Sequence, residues 1–323
     1  MANTPEGTVR LTAIDCVSHG VAGLGANWRL LIGVRLLRNL TLLVLLAASL
    51  FLPLLALGLD LWLDLPRNLE SLGDIDHLDH LDGGIEWLSD LADRLVWTPK
   101  LVSALLAMLA LWLVAGYVYC FFQAGTYGVL AAADREGAGA KAIRWADFSR
   151  WGRDGLKRYF ALANLYGVFL FAAVLLALLG IGAGASASAV WGAFAAFGII
   201  CVAMFPIFLL FLGSGIWYEI ACADLSRERS SVRIAARRAL EILRRRLGAV
   251  ALILVLFATA SMAIWLALFP LSALVSFTAN GRPLVAFVAH GLVQLVAALP
   301  GAAVETVLAG TWVALARSEA FGA

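Results

Sequence analysis

The chain of 323 residues is 62% hydrophobic and 14% charged, whereas soluble proteins average roughly 45–50% and about 25%. Its mean hydropathy of +0.90 points the same way. Such an excess of apolar residues cannot be buried in one water-soluble core, so the composition predicts an integral membrane protein. A net charge of only +2 argues against nucleic acid as a partner.

The amino-terminal segment is not typical of a signal peptide. The first long apolar run, residues 39–63, is too long for a signal h-region and lacks a small-x-small cleavage site, so it predicts a retained span. No two cysteines have C-x-x-C spacing, which argues against a disulfide framework or a zinc site. We therefore expect no cofactor. The cysteines are Cys16, Cys120, Cys201 and Cys222.

Six apolar segments are long enough to cross a hydrocarbon core about 30 Å thick, which takes roughly 20 helical residues. The predicted spans are residues 40–63, 101–125, 159–181, 188–217, 248–275 and 284–315. The dense glycines and serines of Gly180–Ser188 predict a tight turn between the third and fourth spans, and Pro300 predicts a kink in the sixth. The pattern indicates an all-α, polytopic fold in a single integral membrane domain, residues 1–323.

Basic residues predict the orientation of the chain. Residues 131–158 carry seven Lys or Arg and residues 219–248 carry eight, whereas residues 60–100 carry three against ten acids. Because basic loops stay in the cytoplasm, the acidic loop 64–100 is expected outside, with both termini inside. This predicts a multi-pass protein of the bacterial cytoplasmic (inner) membrane.

Each basic segment predicts a short amphipathic helix at the cytoplasmic interface, leading into a span. The segments are residues 13–32, 145–164 and 232–251, so helix, span, outer connector and span would repeat three times. In the third segment one helical stripe is apolar, formed by Val232, Ala235, Ala236, Ala239, Ile242 and Leu243. Its arginines are expected to face anionic phospholipid headgroups. They are Arg233, Arg237, Arg238, Arg244, Arg245 and Arg246.

Two stretches carry a resemblance to a known group. "FFQAGTYGVLAAADREG" with "ADFSRWGRDGLKRYF", and "FLGSGIWYEIACADLSRERSSVRIAARRALEILRRRLG", each combine a small-residue exit from a span with a following basic helix. They resemble a broad group of poorly characterised bacterial six-helix membrane proteins. That group includes the membrane domain that accompanies some glycerophosphodiester phosphodiesterases. The resemblance implies the architecture and little about activity, because no segment of this sequence is large enough to be the phosphodiesterase domain.

The stretch "GDIDHLDHLDGG", Gly73–Gly84, has two interpretations. Its carboxylates and imidazoles suit Zn²⁺ or another transition metal, with Asp76, His77, Asp79 and His80 as candidate ligands. Alternatively, the leucines that recur every third residue pack on the membrane or the protein, while the acids face water. The second interpretation is favoured because a period of three drifts around an α-helix, so the two Asp-His pairs do not stack.

Glu305 is a candidate functional residue because an ionisable group inside a predicted span is costly. His290 and Gln294 lie earlier on the same span and could act with it in transport. Alternatively, Glu305 pairs with a basic residue at the inner membrane edge, such as Arg158 or Arg246, or with the backbone at the Pro300 break. In that structural role Glu305→Gln would be tolerated, because an amide keeps the hydrogen bonds.

Two classes of function follow. The first is a non-enzymatic membrane scaffold or partner subunit that contacts anionic lipid through its basic helices. The second is a small-solute or ion transporter that uses the polar residues of the sixth span. Polar groups clustered in several spans would favour transport. The sequence shows them mainly in the sixth, so the scaffold is preferred. A membrane-protein partner or a second copy of the chain fits either class.

The predicted orientation has a direct test. Alkaline phosphatase is active only outside the cytoplasm, so a fusion after Asp82 is expected to be active and one after Arg246 inactive. The reverse pattern of activity would contradict the orientation.

Overall fold

The computed structural model describes residues 11–57, 99–136, 142–228, 231–278 and 283–320. All regular structure in these ranges is helical: α1 (Ala13–Leu57), α2 (Pro99–Glu136), α3 (Trp145–Trp191), α4 (Ala193–Glu228), α5 (Val232–Arg245), α6 (Leu247–Thr278) and α7 (Pro283–Ala320). Six of them, all but α5, are long and apolar enough to cross a membrane. This confirms the predicted all-α, polytopic fold.

The chain divides into two compact units. The smaller is Arg38–Tyr119, and the larger comprises Met1–Leu37 with Cys120–Ala323. Within the smaller unit the Arg38 guanidinium lies 5.6 Å from the centre of the Tyr119 ring and donates hydrogen bonds of 2.9 and 3.1 Å to Asn39 Oδ1. These contacts keep the arginine's charge partnered beside an apolar helix. The remaining features lie in the larger unit.

The turn between the third and fourth spans lies later than predicted. α3 continues as helix through Gly180–Ser188 and ends at Trp191. The break falls at Gly192, whose φ of +84° is a conformation that glycine adopts without strain. Gly180 instead faces α4, where a Cβ atom on it would lie 3.1 Å from Ala203 Cβ. The predicted turn at Gly180–Ser188 is wrong because this glycine serves a close helix contact.

The three predicted amphipathic segments differ in how they join their spans. α5 is a separate helix of 14 residues. The first and second segments are the amino-terminal parts of α1 and α3. α1 has one non-helical residue, Asn27, with φ −131° and ψ 24°. Arg246, which ends α5, has nearly the same backbone angles, φ −121° and ψ 27°. The two residues lie equally far from the first residue of their helix, so the break is common to the first and third repeats. α3 continues as helix through the equivalent residue, Tyr159.

Each amphipathic segment packs against the end of the span that precedes it, and the first packs against the last. In α3, Phe148 fills the space above Gly125 of α2, so that a Cβ atom on this glycine would overlap the Phe148 ring. Trp217 at the end of α4 donates a 2.9 Å hydrogen bond from Nε1 to the backbone of α5. In α1, Gly20 meets Gly310 of α7, where a Cβ atom on Gly310 would lie 2.9 Å from the Gly20 Cα. The contacts therefore close a ring of three repeats.

We call this ring the collar. It consists of the amphipathic segments, residues 13–27, 145–159 and 232–246, and the helix ends that they cover, residues 120–134, 215–224 and 306–319.

A sequence motif marks the three helix ends. A glycine is followed by an aromatic residue two positions later, Leu or Ile at five, Ala at six and an acid at nine. The motif occurs as Gly125–Asp134, Gly215–Asp224 and Gly310–Glu319. The Leu or Ile and the Ala are buried in all three copies. This recurrence supports the predicted threefold repeat with positions that sequence reasoning did not identify.

The side chains at the breaks tie the repeats together. Asn27 Oδ1 accepts a 2.8 Å hydrogen bond from the backbone N–H of Ile143, just before α3. Arg246 donates a 3.3 Å hydrogen bond to the carbonyl oxygen of Leu11, just before α1. Each break thus holds the backbone that leads into the next repeat, and it satisfies polar groups that would be costly to leave unpaired.

Most of the fully buried large side chains of the described residues lie in the collar. Its fully buried large side chains include Trp312, Tyr127, Phe148, Leu130, Ile220 and Leu315. In the most apolar windows of the spans in α3 and α6, by contrast, only 6% of the residues are buried. The principal core of the described chain therefore lies at the arginine-rich end, while the spans present apolar side chains outward, as helices facing lipid do.

Candidate functional site

The candidate site residues predicted from the sequence fall partly within the described ranges. Asp76, His77, Asp79 and His80 lie outside them, so the metal-binding hypothesis stays a prediction. Within the described ranges no group of three or more His, Cys, Asp or Glu side chains is placed to hold a metal ion. His290 lies on α7, and its side chain is outside the described part of the structure.

Glu305 forms an ion pair inside the larger unit. Its Oε2 atom lies 3.0 Å from Nη1 of Arg35 on α1, and Arg35 Nη2 lies 3.5 Å from the Glu305 carbonyl oxygen. The Arg35 side chain is 6% exposed and that of Glu305 is 48% exposed. The prediction of a basic partner was correct in kind, whereas Arg158 and Arg246 were the wrong residues.

The partner's burial changes the expected role of Glu305. A buried guanidinium that loses its counter-ion keeps the cost of its desolvation and loses the attraction that offsets it. The carboxylate therefore stabilises Arg35 as much as Arg35 stabilises the carboxylate. The earlier expectation that Glu305→Gln would be tolerated does not follow for a partner that is 6% exposed.

The exposed side of Glu305 lines a cavity of about 390 Å³ between α6 and α7. Gln294 and Ser261 are also in its lining, and the remaining walls are mainly apolar, with Trp265 and Phe269 prominent. Gln294 is thus brought to the same cavity as Glu305, as the transport hypothesis requires. The two residues are eleven positions apart along α7, which is roughly 16 Å at 1.5 Å per residue.

A second carboxylate, Glu219 on α4, lies among neutral hydrogen-bond donors. The Tyr127 hydroxyl donates a short hydrogen bond to it. Gln123 Nε2 lies 3.3 and 3.5 Å from its two carboxylate oxygens. No basic side chain of the described residues forms an ion pair with Glu219. Arg35 lies close enough to Tyr127 to act on it electrostatically. Two polar groups, from α1 with α7 and from α2 with α4, therefore meet around Tyr127.

Two atoms of this cluster are buried without a partner in the described structure. They are Oε1 of Gln123, whose residue is 1% exposed, and Nε of Arg35. A buried acceptor and a buried donor left unpaired each cost about 1–3 kcal/mol unless water or a ligand supplies the missing bond. The Gln123 amide is held in this orientation because its nitrogen, and not its oxygen, must face the carboxylate.

Sequence reasoning missed Arg35, Gln123, Tyr127 and Glu219. Arg35 was placed before the first span and Glu219 after the fourth, because charged residues were used to set the span limits. α1 and α4 continue as helices through these positions. The repeated motif is the signal that could have identified Glu219, because it places this residue between two buried positions of a packed helix end.

The arginines of the third basic segment divide into two sets. Arg238 lies 3.8 Å from Asp224, which is 2% exposed, and Arg246 binds Leu11 as described above. These two serve contacts within the protein. The others are exposed on α5: Arg233, Arg237, Arg244 and Arg245. The predicted apolar stripe is confirmed, because Ala235, Ala239 and Ile242 are its buried residues.

Another cavity opens among α2, α3 and α4, with a volume of about 510 Å³. Its charged lining residues are Arg135, Arg158 and Asp154, and Trp151 forms part of its wall. Small residues line this cavity and let the helices beside it pack closely. A Cβ atom on Gly128 would lie 2.7 Å from Trp151 Cβ.

No protein-family model, curated protein or solved structure matches the chain. The resemblance to the membrane domain found with glycerophosphodiester phosphodiesterases therefore stays a prediction.

The Arg35–Glu305 pair gives a stability prediction. Glu305→Gln is expected to lower the free energy of unfolding by about 3 kcal/mol, the lower end of the range for buried pairs, because Glu305 is half exposed. Thermal unfolding in detergent measures the loss. Glu241→Gln, at an exposed position of α5, is the matched control and is expected to be neutral.

The double variant Arg35→Met with Glu305→Met completes the test. It is expected to recover most of the lost stability, because it removes both charges together. The pair would not be energetically coupled if the double variant lost as much stability as Arg35→Met and Glu305→Met lose in sum as single variants.

Proposed function

We propose that the chain is a non-enzymatic scaffold of the bacterial inner membrane that binds anionic phospholipid at its cytoplasmic face. In this proposal the collar lies at the cytoplasmic membrane surface and both termini are cytoplasmic, as the basic-residue asymmetry favours. A membrane-protein partner or a second copy of the chain would assemble on the lipid-facing spans.

The observation that carries the proposal is that α5 has a buried apolar face and an exposed basic face. Its apolar residues Ala235, Ala239 and Ile242 are buried, with α4 as its main neighbour. Its four exposed arginines point away from this contact and have no ion pair among the described residues. A helix fixed in this way presents a constant positive surface. Each arginine near an anionic leaflet contributes about 1 kcal/mol to membrane attraction.

Exposed apolar residues flank these arginines. Ile234 and Leu240 on α5 are 47% and 42% exposed, and Leu247 at the start of α6 is 64% exposed. Apolar side chains beside basic ones suit the boundary between headgroups and acyl chains. The position of the buried core in the collar also supports a scaffold, because the well-packed end of the helices then meets the headgroup layer.

The proposal predicts a lipid preference that depends on charge. Replacing Arg233, Arg237, Arg244 and Arg245 with Gln is expected to reduce several-fold the enrichment of phosphatidylglycerol around the protein. The measurement is lipid mass spectrometry of polymer-extracted native nanodiscs. The same four positions changed to Lys are the control, since charge is kept. Equal enrichment in the Gln variant and the native protein would refute the proposal.

A second candidate function is proton-coupled transport. The observation that favours it is the polar cluster of Glu219, Tyr127 and Gln123, which adds polar groups on α2 and α4 to those of the sixth span. Glu219 is a carboxylate held by neutral donors, without an ion-pair partner among the described residues, and ionisable groups of this kind within spans mark proton pathways.

If the protein moves protons, Glu219→Gln is expected to abolish the flux, because an amide cannot titrate. Proteoliposomes with an entrapped pH-sensitive dye, under an imposed pH gradient, measure the flux. Glu241→Gln serves as the control with native flux. Native proteoliposomes that leak no faster than protein-free liposomes would rule out this candidate.

A further inference from the structure

The cavity among α2, α3 and α4 is lined by two arginines that have no ion pair or hydrogen bond among the described residues. They are Arg135 and Arg158. Two other arginines of the collar do form ion pairs. Arg317 lies 3.4 Å from Asp134, and Arg150 lies 3.2 Å from Asp147. The two cavity arginines therefore remain available to a ligand.

The charged side chains that line the cavity favour an anionic ligand that also carries a polar group. Arg135 of α2 and Arg158 of α3 line the same cavity, and guanidinium groups bind phosphate oxygens through charge-assisted hydrogen bonds. Asp154 and Ser226 line the same cavity. A carboxylate there repels a second anionic group and accepts hydrogen bonds from a hydroxyl or ammonium group. The lining thus suits a phosphate ester whose far end carries a donor.

The cavity has the size and position for a lipid headgroup. Its volume of about 510 Å³ is within the range of small-molecule sites, about 300–1,000 Å³. Arg135 ends the apolar part of α2, and Trp151 lies on the amphipathic part of α3, where an aromatic ring suits the membrane interface. Basic cavities between spans at the inner membrane edge are where phospholipid headgroups bind.

We propose that this cavity binds the phosphate of one phospholipid headgroup, with Arg135 and Arg158 on the phosphate and Asp154 on the headgroup hydroxyl or ammonium. The inference rests on the proposed function, and it adds a single defined site to the general surface attraction of α5. Close packing fixes the site, because Gly128 brings α2 against Trp151 and Gly155 brings α3 against Ala124, where a Cβ atom would lie 2.8 Å from Ala124 Cβ.

The test is a lipid titration of the purified full chain in detergent, followed by native mass spectrometry. The probe is phosphatidylglycerol, and soluble glycerol 3-phosphate is the competitor. The native protein is expected to bind one lipid more tightly than any further ones. Arg135→Gln with Arg158→Gln is expected to weaken that first binding step at least about tenfold, because it removes the charge-assisted hydrogen bonds to the phosphate.

Two further variants keep the test decisive. Arg144→Gln with Arg153→Gln removes the same charge from exposed positions outside the cavity and is expected to bind as the native protein does. Ala132→Leu fills the cavity without a change of charge and is expected to weaken the first step as the arginine variant does. Equal weakening by both arginine pairs, or native affinity in the cavity-filled variant, would overturn the site.

The source of the phosphate, the proposed function and the cavity site are each tested by a different measurement. Glycerol 3-phosphate that displaces the lipid at equal concentration would overturn the lipid assignment. The proposed function fails if the α5 variant keeps its lipid enrichment in nanodiscs. The cavity site fails if the Arg135 and Arg158 variant keeps its first tight lipid in the titration.

Discussion

The close approach of helices at small residues is the constraint on which the collar depends. Gly20 and Gly310 bring α1 against α7 with backbone nearly touching backbone, and a Cβ atom on Gly20 would overlap the Val307 carbonyl oxygen. Helices without a hydrophobic driving force between them associate through this kind of contact. When α1 packs on α7 in this way, Arg35 lies within ion-pair distance of Glu305. The ion pair is thus a consequence of the packing as well as a contribution to it.

The polar groups inside the larger unit follow one rule. A charge withdrawn from water needs a partner fixed by the surrounding packing. Arg35 and Glu305 satisfy it with opposite charges. Glu219 satisfies it with the neutral donors of Tyr127 and Gln123, which stabilise a carboxylate more weakly than a cation does. Glu305 therefore belongs to an ion pair fixed by packing, whereas Glu219 lies among neutral hydrogen-bond donors.

Much of the architecture could be predicted from the sequence, because hydropathy and helical periodicity are local properties. They indicated six spans, the apolar stripe of α5 and an ionic partner for Glu305. Properties that depend on distant contacts could not be predicted. Arg35 is paired with Glu305, which lies 270 positions later on α7, and Gly180 serves a contact with Ala203 of α4. In one sequence a glycine that breaks a helix and a glycine that admits a neighbouring helix look alike.

The threefold repeat separates residues that build the fold from residues that differ for another reason. Positions that agree in all three copies of the motif, such as the buried Ala at the sixth place, are explained by packing alone. Glu219 occupies the position that Val129 and Ala314 occupy in the other two copies. Because those two copies pack with apolar side chains there, packing does not require a carboxylate at this position. Its presence in one repeat, beside the buried and unpaired oxygen of Gln123, therefore calls for an explanation in function.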